Sequence, residues 1–415
     1  MRPGSTSLQL VLSLVGALAL FAGALLFVAF GALQIFVPQA DLDPAPAFLW
    51  AGSLAFAGVL VLPSAYYALQ GLRGRPREGQ PNQKWVTGLA MMLLLVVLPL
   101  VLLLGNAVSG NPHIAWVLLP PMHVLAVSIP VFWMGSIALR GLSVGSTRRF
   151  WGIFAAAITI GPFSILVVEL FAMILAAGAA LLILYSMPGM AEQLDELFQS
   201  LQYAVPNERS LAPILEKLTS NPGPVLAVVA FVAVIVPLIE ETLKPAALWL
   251  LARDGLMPAE GFALGALSGS GYALFESLFL STSGQGWSIV VIARIGTAAL
   301  HILTTALTGW GLALAWGQKK YARLGLQFGL AVLLHAVWNA LTALNAAAAL
   351  LPPETNSLIL TIGKLAPGGL IVLALACFIT LSMLNRRLAA PTGDSNPISS
   401  PVKVETTNGT DPEPD

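Results

Sequence analysis

The sequence predicts an all-α protein, a polytopic membrane bundle of about ten transmembrane helices. The chain of 415 residues is 57% hydrophobic and only 10% charged, whereas soluble domains carry about 25% charged residues. Its mean hydropathy is +0.83, and its apolar stretches repeatedly reach the roughly 20 residues that a helix needs to cross a bilayer. We therefore expect an integral membrane protein in contact with the lipid bilayer.

The charge balance and the cysteine content exclude several other classes. The formal net charge is zero, which gives no indication of a nucleic-acid partner. The single cysteine, Cys377, lies inside a predicted helix, so the sequence contains neither a disulfide framework nor a cysteine-based metal site.

Ten apolar stretches are long enough to be spans. The first is too long for the apolar region of a signal peptide, which covers roughly 7–15 residues, so we expect it to be retained. Prolines in the third and fourth spans, at Pro99 and at Pro120 and Pro121, predict kinks. The ten predicted spans are 8–37, 46–70, 85–105, 115–139, 151–185, 224–251, 259–281, 289–316, 324–351 and 358–384.

Basic residues alternate between successive loops. The loops 71–84, 140–150, 252–258 and 317–323 together hold eleven Lys and Arg residues, whereas the alternate loops hold two. Because loops rich in Lys and Arg stay in the cytoplasm, the alternation supports the count of ten spans. It also predicts that both termini are cytoplasmic.

The spans and loops suggest a division of the chain into five parts. The long outward-facing loop carries leucines at helical spacing beside acidic residues, which predicts an amphipathic helix on the membrane surface. The C-terminal tail is rich in Pro, Ser, Thr, Asn and acidic residues, which predicts disorder. The parts are an N-terminal five-span region (1–185), the outward-facing loop (186–223), a four-span core (224–351), the last span (358–384) and a disordered cytoplasmic tail (385–415).

Ionisable residues interrupt three spans of the core at one depth. Glu240, Glu241 and Lys244 lie in the sixth span, His301 in the eighth and His335 in the ninth. At about 1.5 Å of rise per residue, Glu240, His301 and His335 fall within roughly 5 Å of the middle of their spans. Ionisable groups are costly inside a bilayer and usually mark function, so we expect a polar cavity there.

Spacing within each helix predicts which of these side chains share a face. Glu240 and Lys244 are four residues apart, so the lysine can neutralise a glutamate. Glu241 points about 100° away and can meet a different partner. His335 shares a face with Asn339.

Two further charged residues lie in neighbouring spans. Arg294 precedes His301 by two helical turns on one face, although it is close enough to a span end to reach the interface. Glu276, in the seventh span, lies roughly 9 Å outward of its span's midpoint by the same helical rise. We therefore rank Glu276 below the residues of the other three spans.

These residue types support hydrolysis by two routes. In the first, His301 and His335 hold Zn²⁺ with a carboxylate, the ion lowers the pKa of its water to about 7, and a second glutamate takes the proton. In the second, Glu240 or Glu241 activates water with one histidine, while the other histidine and Asn339 donate hydrogen bonds to the oxyanion. Both routes use the same residues, so the sequence leaves the metal open.

Glycines recur in the seventh span at helical spacing. Gly261, Gly265 and Gly269 are four residues apart, and Gly309 and Gly311 lie on the eighth span. Small residues at this spacing allow close backbone approach. They predict either tight helix packing or room for an extended substrate strand.

Four sequence motifs carry a family resemblance. They are Glu-Glu-Thr-Leu-Lys (240–244), Gly-Tyr-Ala-Leu-Phe-Glu (271–276), Arg294 with His301, and His-Ala-Val-Trp-Asn (335–339). In this order they resemble the motifs of the PrsW family of intramembrane proteases, which is distantly similar to the CAAX prenyl endopeptidases and bacteriocin-processing proteins. The resemblance covers about 225–345. It implies proteolysis of a membrane-anchored protein, for example an anti-sigma factor, in a bacterial cytoplasmic membrane.

The resemblance also implies roles for individual residues. Glu240, Glu241, His301 and His335 match the reactive positions of the family. Lys244, Glu276, Arg294 and Asn339 match supporting positions. One departure is Ser277, which stands where the family pattern suggests asparagine.

Two other function classes compete with a protease. Buried carboxylates and histidines also form proton relays in ion-coupled transporters, and a non-catalytic scaffold could keep the same fold. Transporters often carry inverted repeats in both halves, whereas the charges of this chain are concentrated in one half. That asymmetry favours the enzyme.

Overall fold

The predicted all-α architecture is confirmed by the computed structural model. The structure describes residues 3–37, 43–75, 83–186, 192, 195, 198–199, 222–251, 255–279, 284, 286–350 and 357–390, and within these ranges it contains helices and no strand. The predicted amphipathic helix in 186–223 lies almost wholly outside the described residues. The same holds for most of the predicted tail 385–415.

Seven helices form the N-terminal half of the bundle. A π-helical turn, Leu93–Val97, joins the third helix to the fourth and ends two residues before Pro99. The fourth predicted span continues as one helix through Pro120, Pro121 and Pro130. The helices are α1 (Pro3–Phe36), α2 (Ala45–Leu72), α3 (Gln83–Met92), α4 (Leu98–Ser109), α5 (Pro112–Ala138), α6 (Thr147–Ile158) and α7 (Ile160–Tyr185).

The C-terminal half begins with a helix that is broken twice. A second π-helical turn, Phe231–Ile235, separates its first two parts. The helices of this half are α8 (Pro222–Ala230), α9 (Val236–Leu243), α10 (Ala246–Trp249), α11 (Pro258–Phe279), α12 (Trp287–Gln318), α13 (Tyr321–Leu350) and α14 (Ser357–Ala389).

Nine helical segments of the described chain are long and apolar enough to cross a membrane. The predicted span that does not qualify is the seventh, which corresponds to α11. It forms a helix of 22 residues, sixteen of them buried, but it is rich in glycine and serine. A helix enclosed by other helices needs no apolar surface for lipid, and α11 occupies this central position.

The sixth predicted span, 224–251, does not run as one straight helix. The regular helix ends at Leu243, and a short turn, α10, begins after Pro245. Proline has no backbone N–H and its ring clashes with the preceding turn, so it interrupts a helix. Glu240 therefore lies near the end of a broken span, not at the middle of a continuous one.

Side-chain contacts join helix ends that the alternation of basic loops places on the same side of the membrane. At that side the Arg148 guanidinium donates to Thr6 (2.9 Å), and Asn385 donates to the backbone oxygen of Ala138 (2.8 Å). On the other side Ser288 donates to Asn106 (2.8 Å). The antiparallel arrangement of spans is consistent with these contacts.

Glycines bring α11 and α12 into backbone contact. A Cβ atom added to Gly269 would stand 2.5 Å from the backbone oxygen of His301, and one added to Gly261 would stand 2.5 Å from that of Gly309. Such distances exclude any side chain. Of the two expectations for the glycine ladder, tight helix packing is confirmed, because α12 fills the space where an extended strand would lie.

Candidate active site

The Lys244 ammonium group is the centre of a buried polar cluster. It lies 2.8 Å from Glu240 Oε2, 2.8 Å from Glu241 Oε1 and 2.8 Å from His301 Nδ1. Lys244 is the last residue before Pro245, and its backbone N–H still bonds to Glu240. Ser268 on α11 donates to its free backbone oxygen (2.6 Å). The break in the helix thus places the ammonium against two other helices.

His335 is held by a glutamate from the facing helix. Its Nδ1 atom lies 2.9 Å from Glu241 Oε1, so Nδ1 carries the proton and donates. Its Nε2 atom lies 3.9 Å from Glu240 Oε2. Because Nδ1 is engaged by Glu241, Nε2 is the ring nitrogen that remains available as an acceptor or metal ligand.

His301 is held in the same manner by a different glutamate. Its Nε2 atom donates to Glu276 Oε2 (2.6 Å), and its Nδ1 atom accepts from Lys244. Arg294 pairs with the same Glu276 oxygen (2.6 Å) and donates to Ser277 (3.1 Å). The structure thus places Glu276 directly against His301, which is closer to the centre than the depth estimate predicted.

Three contacts that involve aromatic or imidazole rings complete the cluster. The Tyr272 ring lies edge-on to the His301 ring at 5.2 Å, and the Lys244 ammonium lies 4.7 Å from the centre of that tyrosine ring. The rings of His301 and His335 are 5.1 Å apart. Tyr272 and Ser268 were not predicted as site residues, although Tyr272 lies one helical turn before Glu276 and so shares its face.

The side-chain hydrogen bond of Asn339 lies outside this cluster. Its amide donates to the backbone oxygen of Val232 (3.0 Å), within the π-helical turn. A π-helical turn leaves backbone groups without their usual partners. The observed contact therefore links α13 to the segment that leads into Glu240, and it differs from the oxyanion contact expected from the sequence.

The cluster is closed on one side and open on the other. The side chains of Glu241 and Lys244 are fully buried, and those of His301 and His335 are 1% and 2% exposed. By contrast, Glu276 is 23% and Arg294 is 13% exposed. The side lined by these two residues is therefore the more accessible edge of the site.

Three side chains could hold a metal ion. One ligand atom from each of Glu240, His301 and His335 lies within 4.8 Å of the others. Two histidines and a carboxylate are a common zinc set, and both imidazoles are oriented by carboxylates, as metal-bound histidines usually are. The donors therefore fit an ion. The Lys244 ammonium already contacts all three side chains, at 2.8 Å from Glu240 and His301 and at 3.4 Å from His335, so a bound ion must compete with it.

The fold and the site define a class of protein. The chain is an integral membrane protein that encloses glutamate, histidine and lysine side chains among apolar helices. The model of the PrsW family intramembrane metalloproteases matches residues 150–366, slightly more than half of the chain. Comparison with curated proteins and with solved structures finds no match.

The chain belongs to the PrsW family and is an intramembrane protease. The resemblance drawn from four short motifs is confirmed, and the matched region extends beyond the motifs at both ends. It includes most of α6 and all of α7, which the sequence analysis assigned to the N-terminal region, and it reaches into α14. The family membership favours the protease over the transporter and the scaffold.

Proposed function

We propose that this protease cleaves a membrane-anchored protein and that Glu240, His301 and His335 hold its metal ion, with Zn²⁺ as the ion of choice. The observation that carries the proposal is the pairing of each imidazole with a carboxylate, His335 with Glu241 and His301 with Glu276. This pairing leaves one unprotonated nitrogen on each ring. An unprotonated imidazole nitrogen is what a metal ligand requires.

The charges of the cluster also favour a cation. Three carboxylates, those of Glu240, Glu241 and Glu276, are paired with two cations, Lys244 and Arg294. With neutral histidines the buried cluster keeps an excess of negative charge. An uncompensated charge in a low-dielectric site is costly, so a bound cation would stabilise the arrangement.

The remaining side chains have positioning and proton-transfer roles in this proposal. When bound, the ion supplies Lewis-acid polarisation of the peptide carbonyl and of the attacking water. Glu241 keeps one oxygen, Oε2, without a hydrogen-bond donor within the described residues, and it is the second glutamate that we assign as proton acceptor. Glu276, Arg294 and Asn339 hold His301 and the π-helical turn in place.

We further propose a membrane topology and a division of labour. The abundance of Lys and Arg in alternate loops supports cytoplasmic termini in a bacterial cytoplasmic membrane. The region 1–185 serves as a frame around the four-span core 224–351. The location of the site among apolar helices supports a substrate with a membrane anchor, such as an anti-sigma factor.

Substitution of Glu240 and His335 tests the proposed site. We expect Glu240→Ala and His335→Ala each to reduce cleavage by about a thousandfold or more, because each removes a ligand. Membrane-protein fragments from cells that express the wild-type or a variant chain would be compared by mass spectrometry. Thr242→Ala is the matched control, since Thr242 is exposed on the same helix and its hydroxyl donates to the backbone oxygen of Leu238 in that helix.

The metal is tested on the purified protein. Elemental analysis should find about one Zn²⁺ per wild-type chain and much less in the two variants, because three protein ligands hold a catalytic ion. Wild-type cleavage by both variants would exclude the proposed site. Full activity of protein that contains no metal would replace the metal route by the glutamate route.

A further inference from the structure

Glu169 lies on the one inward-facing stripe of α7. The buried and half-buried side chains of this helix include Ile165, Glu169 and Ala172, which recur at intervals of four and three residues. Residues between them, such as Leu166 and Leu170, are 63% and 50% exposed. The spacing of a helix therefore directs Glu169 towards the bundle and not towards lipid.

The Glu169 carboxylate has no hydrogen-bond donor for its Oε1 atom within the described part of the chain, although this atom is buried. A buried carboxylate oxygen without a donor costs free energy. The cost is larger in a membrane span, where water does not supply the missing partner. A hydrogen-bond donor from a bound substrate would remove this cost.

Glu169 also lies on a helix that packs against the active site. Helix α7 contacts both α9, which carries Glu240, and α11, which carries Glu276. Glu276 belongs to the exposed edge of the site, and Glu169 is itself half-buried. These observations place Glu169 on the side of α7 that faces the helices of Glu240 and Glu276, on a helix that the mechanism does not use.

Resting on the proposed function, we infer that Glu169 is a specificity residue that binds a basic side chain of the substrate at the edge of the active site. Glu240 and Glu276 add negative charge to its surroundings, and each of these carboxylates already has a cationic partner. Glu169 has no such ion pair within the described residues. A Lys or Arg side chain in an apolar substrate segment is costly in lipid, so a carboxylate at the edge would select for it.

A binding experiment tests this inference without cleavage. The probes are three single-span peptides of about 25 residues, rich in leucine and alanine, with Lys, Gln or Glu at the centre. Each is reconstituted with the full chain in phosphatidylcholine vesicles, and binding is measured by fluorescence energy transfer. The chain carries His335→Ala, which blocks cleavage and leaves Glu240, Glu276 and Lys244 in place.

The inference requires a preference that depends on Glu169. The Lys peptide should bind about tenfold more tightly than the Gln peptide, as expected for a charge-assisted hydrogen bond. Glu169→Gln should abolish the difference, Glu169→Asp should keep most of it, and Leu166→Gln, on the exposed face of α7, should leave it unchanged. Equal binding of the Gln peptide to the parent chain and to the Glu169→Gln chain shows that the variant is folded.

Two outcomes would overturn the inference. One is equal binding of the Lys and Gln peptides to the parent chain, and the other is a Lys preference that survives Glu169→Gln. Neither depends on catalysis. If Glu240→Ala still cleaves while the Lys preference depends on Glu169, the proposed site fails and the specificity residue stands.

Discussion

Buried histidines in the two halves of the molecule have different partners. His123 in the N-terminal half is 1% exposed, and its ring accepts from the Trp287 indole (3.3 Å) and donates to the backbone oxygen of Leu278 (3.2 Å). His301 and His335 in the core are equally buried, but each bonds to a carboxylate. Burial is therefore the same in both halves, and the charge of the partner is what differs.

The difference teaches what each half contributes. Both ring nitrogens of His123 are occupied by neutral groups, so the ring joins α5 to α11 and α12 and has no nitrogen left for chemistry. In each core ring the second nitrogen faces a charged group, which is Lys244 for His301 and Glu240 for His335. The histidine of the N-terminal half supports the fold through neutral hydrogen bonds, and the histidines of the core bond to charged groups.

Removal of the central cation, Lys244, should have the largest effect, and this effect is on stability. In Lys244→Met, Glu240 and Glu241 lose their shared partner, so we expect a loss of about 3–5 kcal/mol in stability, as for other broken buried ion pairs. Thermal unfolding in detergent measures it. Lys364→Met is the matched control, since Lys364 is exposed on a span. Equal unfolding temperatures of the two variants would contradict a central role for Lys244.

Removal of the charge that orients His301 should have an intermediate effect. Glu276→Gln keeps the size of the side chain but weakens its bond to the His301 Nε2–H, so we expect a loss of about 10–100-fold in metal affinity and in cleavage. Competition with a zinc chelator measures the affinity.

Glu260→Gln is the control for this variant. Glu260 lies in the first turn of the same helix, α11, and pairs with Arg149 of α6, which is not part of the cluster. Unchanged zinc affinity in Glu276→Gln would show that the bond to His301 does not orient a ligand.

Replacement of the N-terminal histidine should have the smallest effect on chemistry. In His123→Phe, the Trp287 N–H and the Leu278 oxygen lose a partner, which costs about 1–3 kcal/mol of stability. We expect zinc content and the cleavage rate per folded molecule to stay within about threefold of the wild type. A loss of zinc comparable to that of His335→Ala would erase the distinction between the two halves.

The sequence alone predicts the helices and the reactive groups, because hydropathy and motif spacing are local properties. It also predicts the pairing of Glu240 with Lys244. It does not predict that the helix break at Pro245 turns Lys244 towards His301. It ranks Glu276 too low, because a depth estimate assumes straight helices at equal height. Glu169 stands alone in its span, and only packing shows that α7 turns it towards the cluster.

Asn339 illustrates a second limit of the sequence. Its position one turn after His335 predicts a shared face and a role in the oxyanion site. In the structure its amide donates a hydrogen bond to the backbone oxygen of Val232 in a π-helical turn. Pro237 follows this turn at the spacing at which Pro99 follows the other π-helical turn, but the sequence does not show that Asn339 faces it.

The glycine contacts between α11 and α12 have a mechanical consequence. With backbone touching backbone at Gly261 and Gly269, these two helices can neither slide nor separate without breaking that fit. Glu276 and His301 therefore travel together as one rigid body.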